Sequence, residues 1–597
     1  MEKKVIKYIV LLLSAMIAFQ ACDLTETQKS SADAALVFGS ETGLKTYCYS
    51  FYGFLPNGSS VYRQDAMADY LAKNKLERYE QGDLTPDTQS SWDWSSIRSV
   101  NYFLDHNHYE SVPLSIRDNY SGIARFFRAM LYYDMLVWYG EVPWIDHVLN
   151  PGDPELLAPR DSRDVIITHI IEDCDFAFEH IQENGSQNSN ACLVNKWCAM
   201  LLKSRVCLYE ASWRKYHAGT PRVAGCTITA DDLFKEAADA AAIVMEGKEF
   251  SLHTGTANKD GKGPYRDLFI SETAPTDEVM LAVESDPSLA SPGYANHYYN
   301  VQDIRVSLTR PFMNLYLNID GTPYSETKAD SKYKTFQEET TGRDYRLNQT
   351  IRAYDYTYKN ANGAWALTTA DYNHSLTGYH VTKFSQDGVS YDVYGANSND
   401  IPVMRYAEVL LNYAEAKAEL GTLTNDDWKN TIGALRRRAG ITGGDLDTKP
   451  KVVDNYVKAT YFPSITDPVI LEIRRERTIE LCLEGFRMRD LKRWGCGGLW
   501  ASAKWTGIFI TGTNTPLDMN GDGVADVYFT IGDSSAPEQY ANIAAALPKD
   551  ATLLSVPGGK VIQYNMAGRV WNDRMYMDPI ASSDILQNPN LTQNPGY

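Results

Sequence analysis

The stretch EIRRERTIELCLEGFRMRDLKRWG, residues 472–495, carries Glu472, Glu476, Glu480 and Glu484 at intervals of four. Pro468 opens the segment, and proline suits the first turn of a helix. That interval places the four carboxylates on one face of a helix running on to Trp494. Arg474, Arg475, Arg477, Arg487 and Arg489 interleave with them. Paired carboxylates can hydrolyse glycosidic bonds, but only from opposite sides of a cleft, about 5–10 Å apart. Four acids on one face among arginines read instead as a structural helix laced with ion pairs.

Helical periodicity recurs on both sides of this stretch. Segments 121–139, 193–216, 231–246, 403–420 and 426–438 repeat apolar residues at helical spacing. Gly140 with Pro143, Gly247, Gly421 and Gly440 supply stop signals. The helices come in pairs, 193–216 with 231–246 and 403–420 with 426–438. Ala407, Tyr413, Ala414, Ala418 and Gly421 sit at close-approach positions, the logic of tetratricopeptide repeats of about 34 residues. The middle, 251–400, is different: rich in Gly, Asn, Asp, Thr and Tyr, with short strands expected at 278–284 and 378–384. Loops this long inside a compact chain are usually functional.

The 597 residues are 44% apolar and 22% charged, the composition of a folded globular chain. A formal net charge of −19 argues against nucleic acid as a partner, since phosphate binding needs clustered Lys and Arg. Lys3, Lys4 and Lys7 precede an apolar run, Ile9 to Phe19, too short for a membrane span of about 20 residues. Ala21-Cys22 follows at once, the pattern of a bacterial lipoprotein cleavage site; an ordinary secretory signal with an incidental cysteine is the alternative. Acylated Cys22 would anchor the chain to a membrane, with Thr25, Thr27, Ser30 and Ser31 in a polar tether. The other eight cysteines show no metal-ligand spacing and read as small hydrophobes.

Four stretches together resemble one family: RFFRAMLYYDMLVWYGEVP (125–143), VMRYAEVLLNYAEAKAELG (403–421), the 472–495 segment, and the tail MYMDPIASSDILQNPNLTQNPGY (575–597). LYLNIDGTP (315–323), GRDYRL (342–347) and TGYHVTKF (377–384) stand between them in order, with Tyr345 where the family usually has proline. The chain is similar to the SusD/RagB family of outer-membrane nutrient-uptake lipoproteins of Bacteroidetes. The resemblance implies a mostly α fold, a tetratricopeptide-like scaffold carrying an irregular, loop-rich ligand-binding region. The expected divisions are a signal peptide (1–21), a lipidated tether (22–40), an N-terminal helical-repeat part (41–250), the irregular middle (251–400) and a C-terminal helical part with a docked tail (401–597). It further implies a non-enzymatic, surface-exposed protein that captures oligosaccharides, or peptides in some branches, for a SusC-type TonB-dependent transporter. A secreted glycosidase and a helical-repeat adaptor for protein partners are the readings from other classes.

Sugars present flat C–H faces and many hydroxyls, so their partners are exposed aromatic rings beside polar side chains. Candidates are Trp92, a loop with Tyr294, His297, Tyr298, Tyr299 and Asn300, and Trp365. Trp94 is expected to pack inward on the helix that follows it. In LDMNGDGVADVYF, Asp518, Asn520, Asp522 and Asp526 occupy relative positions 1, 3, 5 and 9, a spacing that suits Ca²⁺. Phe529 stands where an EF-hand has glutamate, so a structural Ca²⁺ and an Asx-rich turn both remain open. No cofactor is required. Neither HExxH nor GxSxG occurs.

Overall fold

The computed structural model describes residues 29–56, 65–182, 190–255, 261–289, 305–324, 333–393, 395–532 and 534–597. Its long helices stack in chain order. Leu114–Tyr139 packs on Arg163–His180, that on Lys196–Tyr216, and that on Ala230–Gly247. The stack then skips the middle of the chain: Ala230–Gly247 lies against Tyr406–Glu419, which lies against Pro468–Glu480. Glu41–Ser50 and Ser95–His106 lean on the first long helix. Local chemistry sets the boundaries. Asn195 accepts from the amides of Trp197 and Cys198, and Thr229 with Asp232 forms a capping box. The result is a mostly α, tetratricopeptide-like scaffold, each helix burying the apolar face of its neighbour.

The irregular middle is one excursion from that stack. Strands Val279–Val283 and Ile401–Arg405 pair antiparallel and bring its two ends together. Beyond them, Tyr265, Phe269, Phe312, Tyr316, Leu347, Tyr379, Phe384 and Trp494 share a second core. Several expectations need correction. The helix expected from 403 starts at Tyr406, because residues 401–405 are spent on the strand. The 426–438 segment is two helices, Asn425–Asn430 and Ile432–Arg438, broken at Thr431 (φ −115°, ψ −90°). Residues 378–384 form no strand. Val381 makes only an isolated bridge to Ile351, and Tyr379, Val381, Thr382, Lys383 and Phe384 are all buried. The amides of Thr382 and Lys383 both turn to the Thr350 carbonyl and Phe384 is left-handed (φ 68°), so no ladder can run along the segment. Sequence reading also missed a three-stranded antiparallel sheet of Ala551–Val556, Gly559–Tyr564 and Thr506–Ile510.

The 468–494 segment is likewise two helices, Pro468–Glu480 and Arg487–Arg493. Between them Leu483 (φ 65°) and Gly485 (φ 84°) are left-handed, which ends a right-handed helix. The Leu483 amide donates to the Tyr70 hydroxyl at 2.9 Å, fixing the turn. Glu484 therefore leaves the helix face, yet meets Lys383 Nζ and Arg405 Nε, each at 2.7 Å. The other glutamates are buried and answered mainly from other elements. Arg346 reaches Glu476 and Glu480 at 2.7 Å, Arg405 reaches Glu480 at 2.6 Å and Glu278 at 3.0 Å, and Arg436 reaches Glu472 at 2.6 Å. Burial alone would raise the Glu480 carboxyl; Arg438, Arg405 and Arg346 hold it well below the usual carboxylate range. The segment ties the scaffold to the middle from inside.

The tail is docked. Arg160 donates to the Thr592 carbonyl at 2.9 Å and to Asn594 Oδ1 at 2.7 Å, and Asn594 Nδ2 donates to the Tyr139 and Asp578 carbonyls. Arg574 lies 4.9 Å from the ring centroid of half-buried Tyr597. The eight cysteines of the described residues are free thiols. Among these residues no helix is long and apolar enough to cross a membrane.

Candidate functional site

A cavity of about 630 Å³ opens where helix Ser95–His106, the 143–157 segment and the tail meet. Its aromatic lining comes from the residues leading into that helix. Asp93 accepts from the amide and hydroxyl of Ser95, both at 2.9 Å, and so sets the turn that presents Trp92 and Trp94. Trp92 meets Tyr139 edge-on at 4.9 Å and Trp94 edge-on at 5.4 Å. Tyr139 closes the first long helix, and its hydroxyl shares a 2.8 Å hydrogen bond with Ser91. Both indoles are half-buried and both line the groove, so Trp94 does not pack inward alone as its position suggested.

The second wall is extended chain held by side-chain bonds. Asn101 Nδ2 donates to the Ile145 carbonyl at 2.8 Å, and Arg98 donates to the Leu149 carbonyl at 2.7 Å. His147 shares a 2.9 Å contact with Asp146 that raises its pKa. Leu156 and Leu157, in the 3-10 turn Pro154–Leu157, show nearly half their surface to solvent. The third wall is Asp584, Gln587, Asn588 and Leu591 of the tail. Asn588 donates to the Ala158 carbonyl at 2.8 Å and Asn590 to that of Leu157 at 2.7 Å, locking the second and third walls together. Arg160 sits behind them, bonded to the Glu141 and Tyr139 carbonyls; burial lowers its pKa to about 10. The groove thus offers two indoles and aliphatic walls, rimmed by Asp93, Arg98, His147, Glu155, Asp584 and Gln587. This combination suits a ligand with apolar faces and polar edges.

The candidate residues are not gathered into one site. Trp92 lies in the groove and Trp365 does not; Trp365 stands on a hairpin of strands Thr357–Lys359 and Trp365–Leu367. Tyr294, His297, Tyr298, Tyr299, Asn300 and Cys22 lie outside the described residues. Arg98, His147, Leu156, Leu157 and Asp584 went unread because no local pattern marks residues that meet only through long-range contacts. In the 518–526 loop, Asp518 accepts from the amides of Gly521 and Gly523, and Asp526 from those of Met519 and Asn520. Asn520 Nδ2 lies 3.3 Å from Asp522 and 3.4 Å from Asp526. Burial raises the Asp526 carboxyl, with Asp522 and Asp518 adding to it against the two amides. These bonds make Asx turns. Among the described residues no three His, Cys, Asp or Glu side chains gather as a metal ion needs.

Comparison with known proteins comes to one answer. The model of the SusD family matches residues 283–597, just over half of the chain. SusD-like protein P2 of Formosa agariphila is 23% identical over 376 residues, covering 62% of this chain and 64% of that relative, so the alignment spans less than two thirds of its length. Among solved structures, a SusD-like protein of Bacteroides fragilis is 22% identical with a TM-score of 0.66, covering 94% of this chain and 98% of that one. A SusD-like carbohydrate binding protein of the same species is 21% identical with a TM-score of 0.65 over 93% and 100%. Surface glycan-binding protein A of Bacteroides fluxus is 16% identical with a TM-score of 0.55 over 94% and 100%.

Proposed function

The chain belongs to the SusD family, and from that premise we propose that it is a non-catalytic glycan-capture protein. It holds oligosaccharides at the cell surface and passes them to a SusC-type TonB-dependent transporter. Acylated Cys22 anchors it to the outer membrane. Support for a sugar ligand comes from two fold relatives described as carbohydrate-binding and glycan-binding.

The observation that carries the reading is the groove. Trp92 and Trp94 present indole surface beside Arg98, His147 and Gln587, and rings stack on sugar C–H faces while rim groups take hydroxyls. Binding free energy then concentrates in a few anchors. The test is calorimetric titration of the chain from residue 23 onward with neutral and acidic oligosaccharides and a peptide digest. Saturable sugar binding without product, weakened at least tenfold by Trp92→Ala, is the expected result. Binding indifferent to Trp92→Ala and Trp94→Ala would move the site elsewhere. Release of shortened sugars would make the protein a hydrolase, and response to peptides alone would change the ligand class.

A further inference from the structure

We propose that the Thr357–Lys359/Trp365–Leu367 hairpin is a second binding platform, specific for acidic sugar residues that carry a carboxylate or a sulfate ester. It rests on the reading of the protein as a glycan-capture protein and adds the charge class of the ligand. The register pairs Thr357 with Leu367, Tyr358 with Ala366 and Lys359 with Trp365. Opposed residues share a face, so Thr357, Lys359, Trp365 and Leu367 lie on one side and Tyr358 on the other. Tyr358 is buried. Trp365 is 50% exposed and Leu367 43%, so the outer side is open to solvent.

Among the described residues, two lysines approach that outer face. Lys262 Nζ lies 3.4 Å from the Trp365 ring centroid and donates to Thr357 Oγ1 at 2.9 Å; Lys359 Nζ lies 5.1 Å from the same centroid. No carboxylate pairs with Lys359 among the described residues. The neighbouring acids are engaged elsewhere: Asp392 takes the hydroxyl of inward-facing Tyr358, Asp387 takes Arg266 and buried Tyr356, and Asp355 takes the Asn348 amide. A protein with a net charge of −19 therefore shows, at an exposed indole, two ammonium groups. Cation–π contact holds the lysines beside the ring. A pyranose stacked on the indole would carry its carboxylate or sulfate only a few bonds from its own ring, within reach of both ammoniums, and charge-assisted bonds to such oxygens are the strong ones. A neutral sugar would gain the stacking alone.

The test uses hexagalacturonate and a sulfated κ-carrageenan oligosaccharide, each against its neutral counterpart, the methyl ester and the desulfated form. Titrations run at 50 and 500 mM NaCl. At least one charged probe is expected to bind tenfold or more tightly than its neutral form, with the advantage shrinking at high salt. Trp365→Ala and the double variant K262Q/K359Q should each abolish that advantage, with circular dichroism showing that each variant is folded. No preference for either charged probe, or a preference that survives both hairpin changes, overturns the proposal. Neutral-sugar binding that depends on Trp92 without any acidic preference overturns it while leaving glycan capture standing. No binding of any sugar, charged or neutral, fells both.

Discussion

The Pro468–Glu480 helix and the groove at Trp92 hold opposite kinds of chemistry. On the helix, carboxylates and guanidiniums crowd together, all are buried, and the glutamates are paired with arginines from three other segments, at Arg346, Arg405 and the Ile432–Arg438 helix. In the groove, charged groups stand along the rim, the rings are half-open, and Asp93 and Arg98 bond mainly to backbone or a neighbouring serine. Residue type alone would assign function to the first and packing to the second. Burial reverses this. A buried charge network fixes how elements meet and does nothing for a ligand it cannot touch, while a half-open ring in a groove keeps apolar surface that a ligand can cover.

The sharpest way to break this contrast is Arg405→Ala. Arg405 contacts Glu278, Glu480 and Glu484 from inside the protein, and its loss removes one cation from each, leaving them to Arg438, Arg346 and Lys383. The expected cost is about 3–5 kcal/mol, read from urea denaturation or as loss of folded protein; a shift below about 1 kcal/mol would make the network surface-like. Next comes acid. Burial alone would raise the Glu415 carboxyl, but Arg493 at 2.5 Å, with Arg477 and Arg474, holds it at about 2. Its folded pKa lies below the unfolded one, so its stabilisation is complete above about pH 4.5 and vanishes as pH falls towards 2, on the order of 3 kcal/mol. Denaturation midpoints across that window should fall, and Glu415→Gln should flatten the fall. Trp92→Ala should do the converse: cost at least about 1.4 kcal/mol in sugar binding, a tenfold loss, with little change in the unfolding midpoint. The smallest effect belongs to the 518–526 loop. Its carboxylates already hold backbone amides, so adding Ca²⁺ should raise the melting temperature by less than about 1 °C; a larger rise would make it a cation site.

Helix starts and stops were legible where side chain and backbone act within a few residues. Gly140 caps the first long helix, and the acids at the start of Ala230–Gly247 include the Asp232 of its capping box; that helix runs through the expected stop at Gly247 and ends on left-handed Lys248 (φ 59°). Arg163–His180 was passed over because its Val165-Ile166-Ile167-Thr168 run is β-branched and mutes the helical signal. The break after Glu480 was hidden for another reason. Gly485 hints at it, but the left-handed Leu483 is held by Tyr70, more than four hundred residues away. The site was legible in the same proportion. Trp92 announced itself as a surface indole beside polar residues. Leu156, Leu157 and Asp584 become groove walls only after the tail has docked, and no short-range pattern records that.

The docked tail also fixes when the groove can exist. Ser582 bonds to Asp87 across 495 positions, and the Tyr79 hydroxyl reaches the Met575 carbonyl across 496. At about 5–20 residues per second a ribosome delivers the second partner roughly 25–100 seconds after the first. Throughout that interval Trp92, Leu156 and Leu157 face no opposing wall. A fragment ending before residue 582 never gains one. The binding surface is therefore among the last parts of the molecule to form, and its presence certifies that residues 582–594 have arrived.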